Sequence, residues 1–167
     1  MKILLIFVWV LIYAFFDLSL GYSSTTPVWT HLTYSFQHAS FIHLVLNCVG
    51  FFFMMRALEI RYRPAVLIGV AYIISVGASF MVYYPKPVVG ASGMVYALIG
   101  MFAWVVLTNL PRIVGKARQN NILFLITIAA ALIISLLNPV SAGRIHLICM
   151  MAGAAYMCVL NLTAKNK

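Results

Sequence analysis

Three segments of the chain carry polar groups whose types and spacing suit an acyl-transfer reaction. The stretch PVVGASGMVYALIG, residues 87–100, places Ser92 between small residues at the start of a long apolar segment. In FQHASFIHLVLNCVG, His43 and Asn47 are four residues apart and therefore share one face of a helix. His146 is the ionisable group in the apolar body of the last segment. A histidine that removes the proton of a serine hydroxyl turns that hydroxyl into a nucleophile.

Such a site also needs donors that bind the negative oxygen which develops in the transition state. Asn47 offers a side-chain amide, and a neutral His43 offers a ring N–H. The first N–H groups of a helix have no partner within that helix, so a helix that starts near Ala91 adds the backbone N–H of Ser92. These three donors are the predicted oxyanion hole.

Neighbouring residues receive supporting roles. We expect Gly90 and Gly93 to let a substrate backbone approach the hydroxyl, because neither has a side chain. Tyr96 lies one turn after the serine and is expected to pack against the ring of the catalytic histidine. His38 is about 140° around a helix from His43 and is expected at the mouth of the site. With no acid available to orient the histidine, the predicted site is a Ser–His dyad.

The elements that position these groups are predicted to cross a membrane. Of 167 residues, 65% are hydrophobic and 8% are charged, whereas soluble domains have about a quarter charged. The apolar start MKILLIFVWVLIYAFF also resembles a signal peptide, but no A-x-A cleavage site follows it, which favours a retained span. We predict an all-α integral membrane protein, a single six-span domain over residues 1–167. Its predicted helices are residues 3–17, 37–57, 64–84, 91–109, 121–138 and 143–162.

The basic residues behind the net charge of +9 are distributed as expected for a membrane topology, not as in a nucleic-acid-binding surface. If the N-terminus is cytoplasmic, only Lys86 and Arg144 of the 11 basic residues fall outside. The inner residues are Lys2, Arg56, Arg61, Arg63, Arg112, Lys116, Arg118, Lys165 and Lys167. This asymmetry obeys the positive-inside rule and predicts that both termini are cytoplasmic. We therefore expect no nucleic-acid partner.

The topology places the candidate groups at a common depth. The second, fourth and sixth predicted helices run from outside to inside, and His43, Asn47, Ser92 and His146 each fall within about two turns of the outer end. The G-A-S-G motif by itself is equally typical of close helix packing through small residues. The convergence of polar groups from three helices favours the catalytic interpretation.

Two acids are present in the sequence, and they do not form a catalytic pair. Asp17 is predicted at the outer end of the first span and Glu59 in the first inner loop, where it is expected to pair with neighbouring arginines. Their separation excludes an intramembrane aspartyl protease. The absence of H-E-x-x-H excludes that class of zinc metalloprotease. We expect no metal and no cofactor.

At these residues the sequence resembles the rhomboid family of intramembrane serine proteases, in its minimal six-span bacterial form. The motif G-A-S-G at residues 90–93 is similar to the family's G-x-S-G, and H-A-S-F-I-H-L-V-L-N at residues 38–47 is similar to its second-span signature. R-A-L-E at residues 56–59 is similar to the usual acidic ending of that span, and His146 stands where the sixth-span histidine belongs.

The resemblance implies that Ser92 and His146 form the dyad and that His43 and Asn47 line the oxyanion hole. It implies cleavage of single-span membrane proteins near their outer ends, with those substrates and the lipid bilayer as partners. It also implies a water-filled cavity open to the outside. The loop NPVSAGR, residues 138–144, and the fifth span are then the elements that admit substrate, and a bacterial inner membrane is the expected location.

The chain departs from the family pattern at three places. Thr30 follows Trp29 where family members often have Trp-Arg, and Ile145 and Cys149 replace small residues of the last span, whereas Gly153 fits. Two other functions stay open. One is a catalytically inactive rhomboid-like protein that binds membrane clients. The other is a small transporter or channel, against which the lack of membrane carboxylates and paired broken helices argues.

Overall fold

The structure, a computed structural model, describes residues 1–16, 19–138 and 142–165. Asp17, Lys167 and residues 139–141 of the predicted access loop lie outside the described residues. The described part is helical, with an isolated β-bridge between Tyr22 and Val88. Its α-helices are α1 (Lys2–Phe15), α2 (Thr30–Thr33), α3 (Phe41–Leu58), α4 (Pro64–Met81), α5 (Ser92–Asn109), α6 (Gly115–Leu137) and α7 (Gly143–Lys165).

Five helical segments are long and apolar enough to cross a membrane. They are Phe41–Leu58, Pro64–Met81, Ser92–Arg112, Gly115–Leu137 and Gly143–Thr163. The apolar α1 has 14 residues, a length of about 21 Å against the roughly 30 Å of a hydrocarbon core. The described residues therefore contain five candidate spans and a shorter N-terminal apolar helix.

The start of α3 differs from the prediction because of a cap. Ser40 has an extended backbone, and its Oγ accepts a hydrogen bond from the backbone N–H of His43 at 3.2 Å. A serine in this position satisfies an N–H group that the helix itself cannot pair. The helix begins at Phe41 rather than residue 37, and His38 lies in the segment before it.

Other helix ends also follow local chemistry. Pro64 occupies the first turn of α4, where its missing N–H has no intrahelical partner to lose. The helix ends at Met81 rather than residue 84, since Val82 is extended and a proline at position 85 disfavours helix at the residue before it. The α6 helix begins six residues earlier than predicted, at Gly115, and its first two turns are polar.

The centre of the bundle is α5, which packs against α3, α4 and α7. Nine of its 18 residues are buried. The outer α1 contributes Trp9, whose buried ring meets Phe51 of α3 edge-on at 5.0 Å. Among the 23 residues of α6, all of them described, Leu132 is the one that is buried. This packing holds α3, α5 and α7 together at the ends that carry the candidate groups.

The other end of α3 is fixed by an ion-pair cluster. Glu59 pairs with Arg56 at 3.5 Å, as predicted, and also accepts a hydrogen bond from Lys2 of α1. The hydrogen bond and the charge of Lys2, with smaller effects of Arg56, hold the pKa of Glu59 below its usual value. This cluster ties the start of α1 to the end of α3.

Candidate active site

Ser92 and His146 meet at the N-terminal ends of α5 and α7. The serine Oγ lies 2.8 Å from the histidine Nε2, which is hydrogen-bonding distance. Ser92 is the first residue of α5 and is half-buried, while His146 is in the first turn of α7 and is buried. A hydroxyl and an imidazole in this arrangement can exchange a proton.

This distance depends on very close packing between α5 and α7. A β-carbon added at Gly100 would lie 1.9 Å from the carbonyl oxygen of Met150, and one at Gly153 would lie 2.0 Å from that of Ala97. The two backbones are thus in contact where these glycines meet the opposite helix. Ile145 and Cys149, the residues that replace smaller ones in the family pattern, are fully buried in this packing.

The His146 ring is held on two further sides. Tyr96 stacks on it with ring centroids 4.3 Å apart and an interplanar angle of 9°, the contact expected from the sequence. Ser135 of α6 lies on the remaining side, with its Oγ 2.8 Å from His146 Nδ1. Both nitrogens of the imidazole therefore have a hydroxyl partner.

Ser135 was missed by the sequence reasoning, although a signal for it exists. It lies two residues before the end of α6, a helix that is otherwise almost entirely apolar in its second half. The depth argument that selected Ser92 and His146 applies equally to a hydroxyl near the same end of an antiparallel neighbour.

His43 and Asn47 are brought to the same site by a turn at Gly90. This glycine has φ +120°, in the region that favours glycine, and a β-carbon there would lie 2.7 Å from His43 Nε2 and 3.5 Å from Asn47 Nδ2. Asn47 is buried, and its amide nitrogen has no hydrogen-bond partner among the described residues. A buried donor without a partner is costly, so this amide is available to a ligand oxygen.

His38 supports the turn that precedes Ser92. Its Nε2 accepts a hydrogen bond from the backbone N–H of Ala91 at 3.4 Å, and its ring meets that of His43 edge-on at 5.4 Å. Burial, with a smaller effect of the His43 charge, lowers the pKa of His38 to about 4. The ring is therefore neutral at pH 7, the state in which a nitrogen can accept. His38 lies beneath the turn, not at a mouth.

The glycines have a different physical role from the one expected. A β-carbon at Gly93 would lie 2.3 Å from Ser75 Oγ and 3.0 Å from the Tyr34 hydroxyl. The space beside Gly93 is thus filled by α4 and by the segment before α3, and it is no approach path for a substrate. The same holds at Gly90, whose missing side chain makes room for the His43 ring.

A cavity of about 590 Å³ lies beside Ser92 and His146. His43, Ser92 and His146 contribute to its wall, together with residues 84–89 and Ala142. Its size falls within the range of small-ligand sites, about 300–1,000 Å³. Ser92 is thus part of the wall of a cavity large enough for a small ligand. Among the described residues no cluster of His, Cys, Asp or Glu has the arrangement of a metal site.

Comparison with known proteins gives a family for this arrangement. The sequence model of the Rhomboid domain matches residues 25–162, which is most of the chain. The human protein Rhomboid-related protein 3 is 41% identical over 76 residues, which are 43% of this chain. The matched segment spans 19% of the human protein's length.

Proposed function

Because the chain belongs to the rhomboid family, we propose that it is an intramembrane serine endopeptidase. Its substrates are single-span membrane proteins, cleaved near the outer end of the transmembrane segment. The observation that carries the proposal is the 2.8 Å contact between Ser92 Oγ and His146 Nε2. A multi-pass membrane protein has little other use for a buried histidine aimed at a serine, because polar groups inside a bilayer are costly.

The first half-reaction makes an acyl-enzyme. His146 Nε2 takes the proton of Ser92 as the serine oxygen attacks the scissile carbonyl carbon, giving a tetrahedral intermediate with a negative oxygen. The intermediate collapses when the peptide C–N bond breaks. The proton on Nε2 passes to the leaving amine, which departs as the new N-terminus. Ser92 is then an ester of the remaining carboxyl part.

Three donors near Ser92 can stabilise the negative oxygen. The buried amide nitrogen of Asn47 has no other partner among the described residues, and the backbone N–H of Ser92 begins a helix. His43 lies against the same turn, at the wall of the cavity. Donors that are oriented before the reaction stabilise such a transition state most, because they need not reorganise.

The second half-reaction restores the serine. A water molecule that enters through the cavity loses a proton to His146 Nε2 and attacks the ester carbonyl. The intermediate collapses with release of the carboxylate product, and the proton returns to Ser92 Oγ. The Tyr96 ring, stacked on His146, keeps the imidazole in one orientation through both steps.

We also propose that α1 completes a six-span bundle with both termini in the cytoplasm of a bacterium. Arg56, Arg61 and Arg63 lie at the α3–α4 turn, and Arg112 lies between α5 and α6, at the ends remote from Ser92. Lys86 and Arg144 lie at the Ser92 end. The positive-inside rule then puts the active site near the outer face.

A fluorophosphonate serine probe tests the function on the full chain in detergent. Wild type is expected to be labelled, whereas Ser92→Ala and His146→Ala lose labelling by at least about a thousandfold. Ser24→Ala is the matched control, because Ser24 lies in the loop before α2 and touches neither residue.

Two results separate the alternatives. Equal labelling of wild type and Ser92→Ala would exclude Ser92 as the nucleophile. A folded wild type that is not labelled and cleaves no single-span substrate would favour the inactive, client-binding alternative.

A further inference from the structure

We propose that Ser135 is a positioning residue that fixes the tautomer of His146, an inference that rests on the proposed role of the Ser92–His146 pair. Ser135 Oγ lies 2.8 Å from His146 Nδ1, on the opposite side of the ring from Ser92. A neutral imidazole carries one N–H, so one nitrogen donates and the other accepts. Nε2 must accept from Ser92 for the histidine to act as a base, and Nδ1–H therefore donates to Ser135.

A serine within a helix suits this role. The carbonyl of the preceding turn is the usual acceptor for the hydrogen of such a hydroxyl, and the oxygen then faces outward as an acceptor. Ser135 thus supplies, without charge, the acceptor that a carboxylate supplies in Ser–His–Asp triads. The sequence has two acids in all, and Glu59 lies at the far end of α3.

The reach of Ser135 depends on a close approach between the ends of α6 and α7. A β-carbon at Gly143, the first residue of α7, would lie 2.4 Å from the carbonyl oxygen of Ser135. The absence of a side chain there lets the α6 backbone rest directly on the start of α7. His146, one turn further along α7, then faces the Ser135 hydroxyl.

The direct test measures the tautomer by the nitrogen chemical shifts of histidine-labelled protein, with His146→Ala used to assign the signals. Wild type and Ser135→Thr, which keeps a hydroxyl, are expected to show hydrogen on Nδ1. Ser135→Ala is expected to show a mixture of tautomers. The same tautomer in Ser135→Ala as in wild type would overturn the proposal.

The second readout is the rate of fluorophosphonate labelling. Ser135→Ala is expected to be slowed about tenfold, with recovery in Ser135→Thr. Thr127→Ala is the control, because Thr127 lies on the same helix and donates to the carbonyl of Leu123. Unchanged labelling in Ser135→Ala would overturn the positioning role, whereas absent labelling in wild type would overturn the proposed function and leave the tautomer test standing.

A second observation, independent of the catalytic site, concerns two arginines at the other end of the bundle. Arg61 follows α3 and Arg112 follows α5, and both line a cavity of about 320 Å³. In the part of the chain that the structure describes, the carboxylate of Glu59 is used by Lys2 and Arg56, and neither Arg61 nor Arg112 has an ion pair. The cavity therefore presents two uncompensated positive charges.

We infer that this cavity binds the phosphate group of an anionic membrane lipid. Tyr62, Thr108 and Asn161 add polar atoms to its wall, while the exposed Leu162 lies at its edge. Thr108 is about 24 Å from Ser92 along α5, close to the opposite boundary of a hydrocarbon core. A basic pocket between helices at that boundary suits a lipid headgroup, with the acyl chains lying along apolar side chains.

Thermal unfolding in neutral detergent tests the site, with added phosphatidylglycerol, phosphatidylcholine or inorganic phosphate. Phosphatidylglycerol is expected to raise the unfolding midpoint of wild type. The double variant Arg61→Gln/Arg112→Gln is expected to need about ten to a hundred times more phosphatidylglycerol for the same increase. Arg63→Gln/Arg118→Gln is the control, because it removes the same charge from exposed arginines at the same end outside the cavity.

The outcomes separate a specific site from a general charge effect. An equal loss of stabilisation in both double variants, or equal stabilisation by phosphatidylcholine, would overturn the site. Equal stabilisation by inorganic phosphate would overturn the assignment to a lipid. If the glutamine variant does not fold, Arg61→Lys/Arg112→Lys keeps both charges and is expected to retain the preference for phosphatidylglycerol over phosphatidylcholine.

Discussion

Two helices that present a hydroxyl to His146 of α7, α5 and α6, are attached to α7 in different ways. On one side, α5 comes so close that a methyl group at Gly100 or Gly153 would overlap a backbone carbonyl. On the other side, α6 lies along α7, yet Leu132 is the one buried residue of its 23. Both helices nevertheless present a hydroxyl to His146 at 2.8 Å, from Ser92 and from Ser135.

The difference shows where geometric precision comes from in a bilayer. Apolar side chains gain little by leaving lipid, so helices associate through close backbone packing and hydrogen bonds. The α5–α7 contact supplies such packing and fixes the distance between Ser92 Oγ and His146 Nε2. The α6 helix touches the start of α7 at Gly143 and buries one of its 23 residues, so we expect α6 to affect the orientation of His146 more than the stability of the fold.

The largest combined effect, on stability and on labelling together, is expected where the close contact is broken. In Gly153→Ala the new methyl group would lie 2.0 Å from the carbonyl oxygen of Ala97, so α5 and α7 must separate. We expect a loss of about 1–3 kcal/mol or more in the free energy of unfolding, and labelling of Ser92 reduced more than tenfold because the hydrogen bond to His146 lengthens. Unfolding by SDS in mixed micelles and probe labelling measure the two effects.

Gly69→Ala is the matched control for this substitution. Gly69 lies within α4, and a β-carbon there meets no atom within 4 Å. Alanine is the better helix former, so this variant is expected to be at least as stable as wild type. If Gly153→Ala and Gly69→Ala behave alike, α5 and α7 are not in backbone contact.

The next effect concerns α3, which meets α5 at the turn before Ser92. Asn47→Ala removes an amide nitrogen that has no hydrogen-bond partner among the described residues, so folding is expected to change little. Turnover of a membrane substrate is expected to fall about ten- to a thousandfold, the range for a lost oxyanion donor. Asn120→Ala, an exposed asparagine near the start of α6, is the control. An unchanged rate in Asn47→Ala would remove that residue from the site.

The helical membrane architecture could be predicted from the sequence, because a helix that crosses a bilayer needs a long apolar run. The errors at helix ends came from single residues such as Ser40, which caps α3. The pairing of Glu59 with Arg56 was predicted, but Lys2 was missed because it is 57 residues away in the chain. Contacts between distant residues leave no periodic signal in one sequence.

At the candidate site, too, some features could be predicted from the sequence and others could not. The direction in which each helix crosses the membrane predicted which polar groups lie at the same depth. The structure brings Ser92, His146, His43 and Asn47 together. The purpose of Gly93 could not be deduced, since only packing shows that Ser75 and Tyr34 fill the space beside it. A glycine motif gives the same sequence signal whether it admits a ligand or a neighbouring helix.

A smaller effect, confined to acid pH, is expected from the segment that supports α5. Burial lowers the pKa of His38 to about 4, below its ordinary 6.5. Between these values the unfolded chain binds a proton that the folded protein does not, so the free energy of unfolding falls as pH decreases from 6.5 towards about 4. His38→Gln should reduce this slope by up to about 1.4 kcal/mol per pH unit. An identical pH profile would mean that His38 is charged or exposed in the folded protein.

The smallest loss of stability is expected at Leu132 of α6, with Leu98 of α5 as the matched reference in a closely packed helix. Leu98 of α5 is fully buried, and Leu98→Ala is expected to cost about 2–5 kcal/mol in the free energy of unfolding, as in closely packed interiors. Leu132 of α6 is 7% exposed and almost as enclosed, but no other residue of this fully described helix is buried, so the helix can shift to close the gap. Leu132→Ala is therefore expected to cost clearly less in the same SDS titration. Equal losses at both positions would mean that α6 is packed as firmly as α5. The α5 and α6 sides of α7 would then differ only in the hydroxyl that each presents to His146.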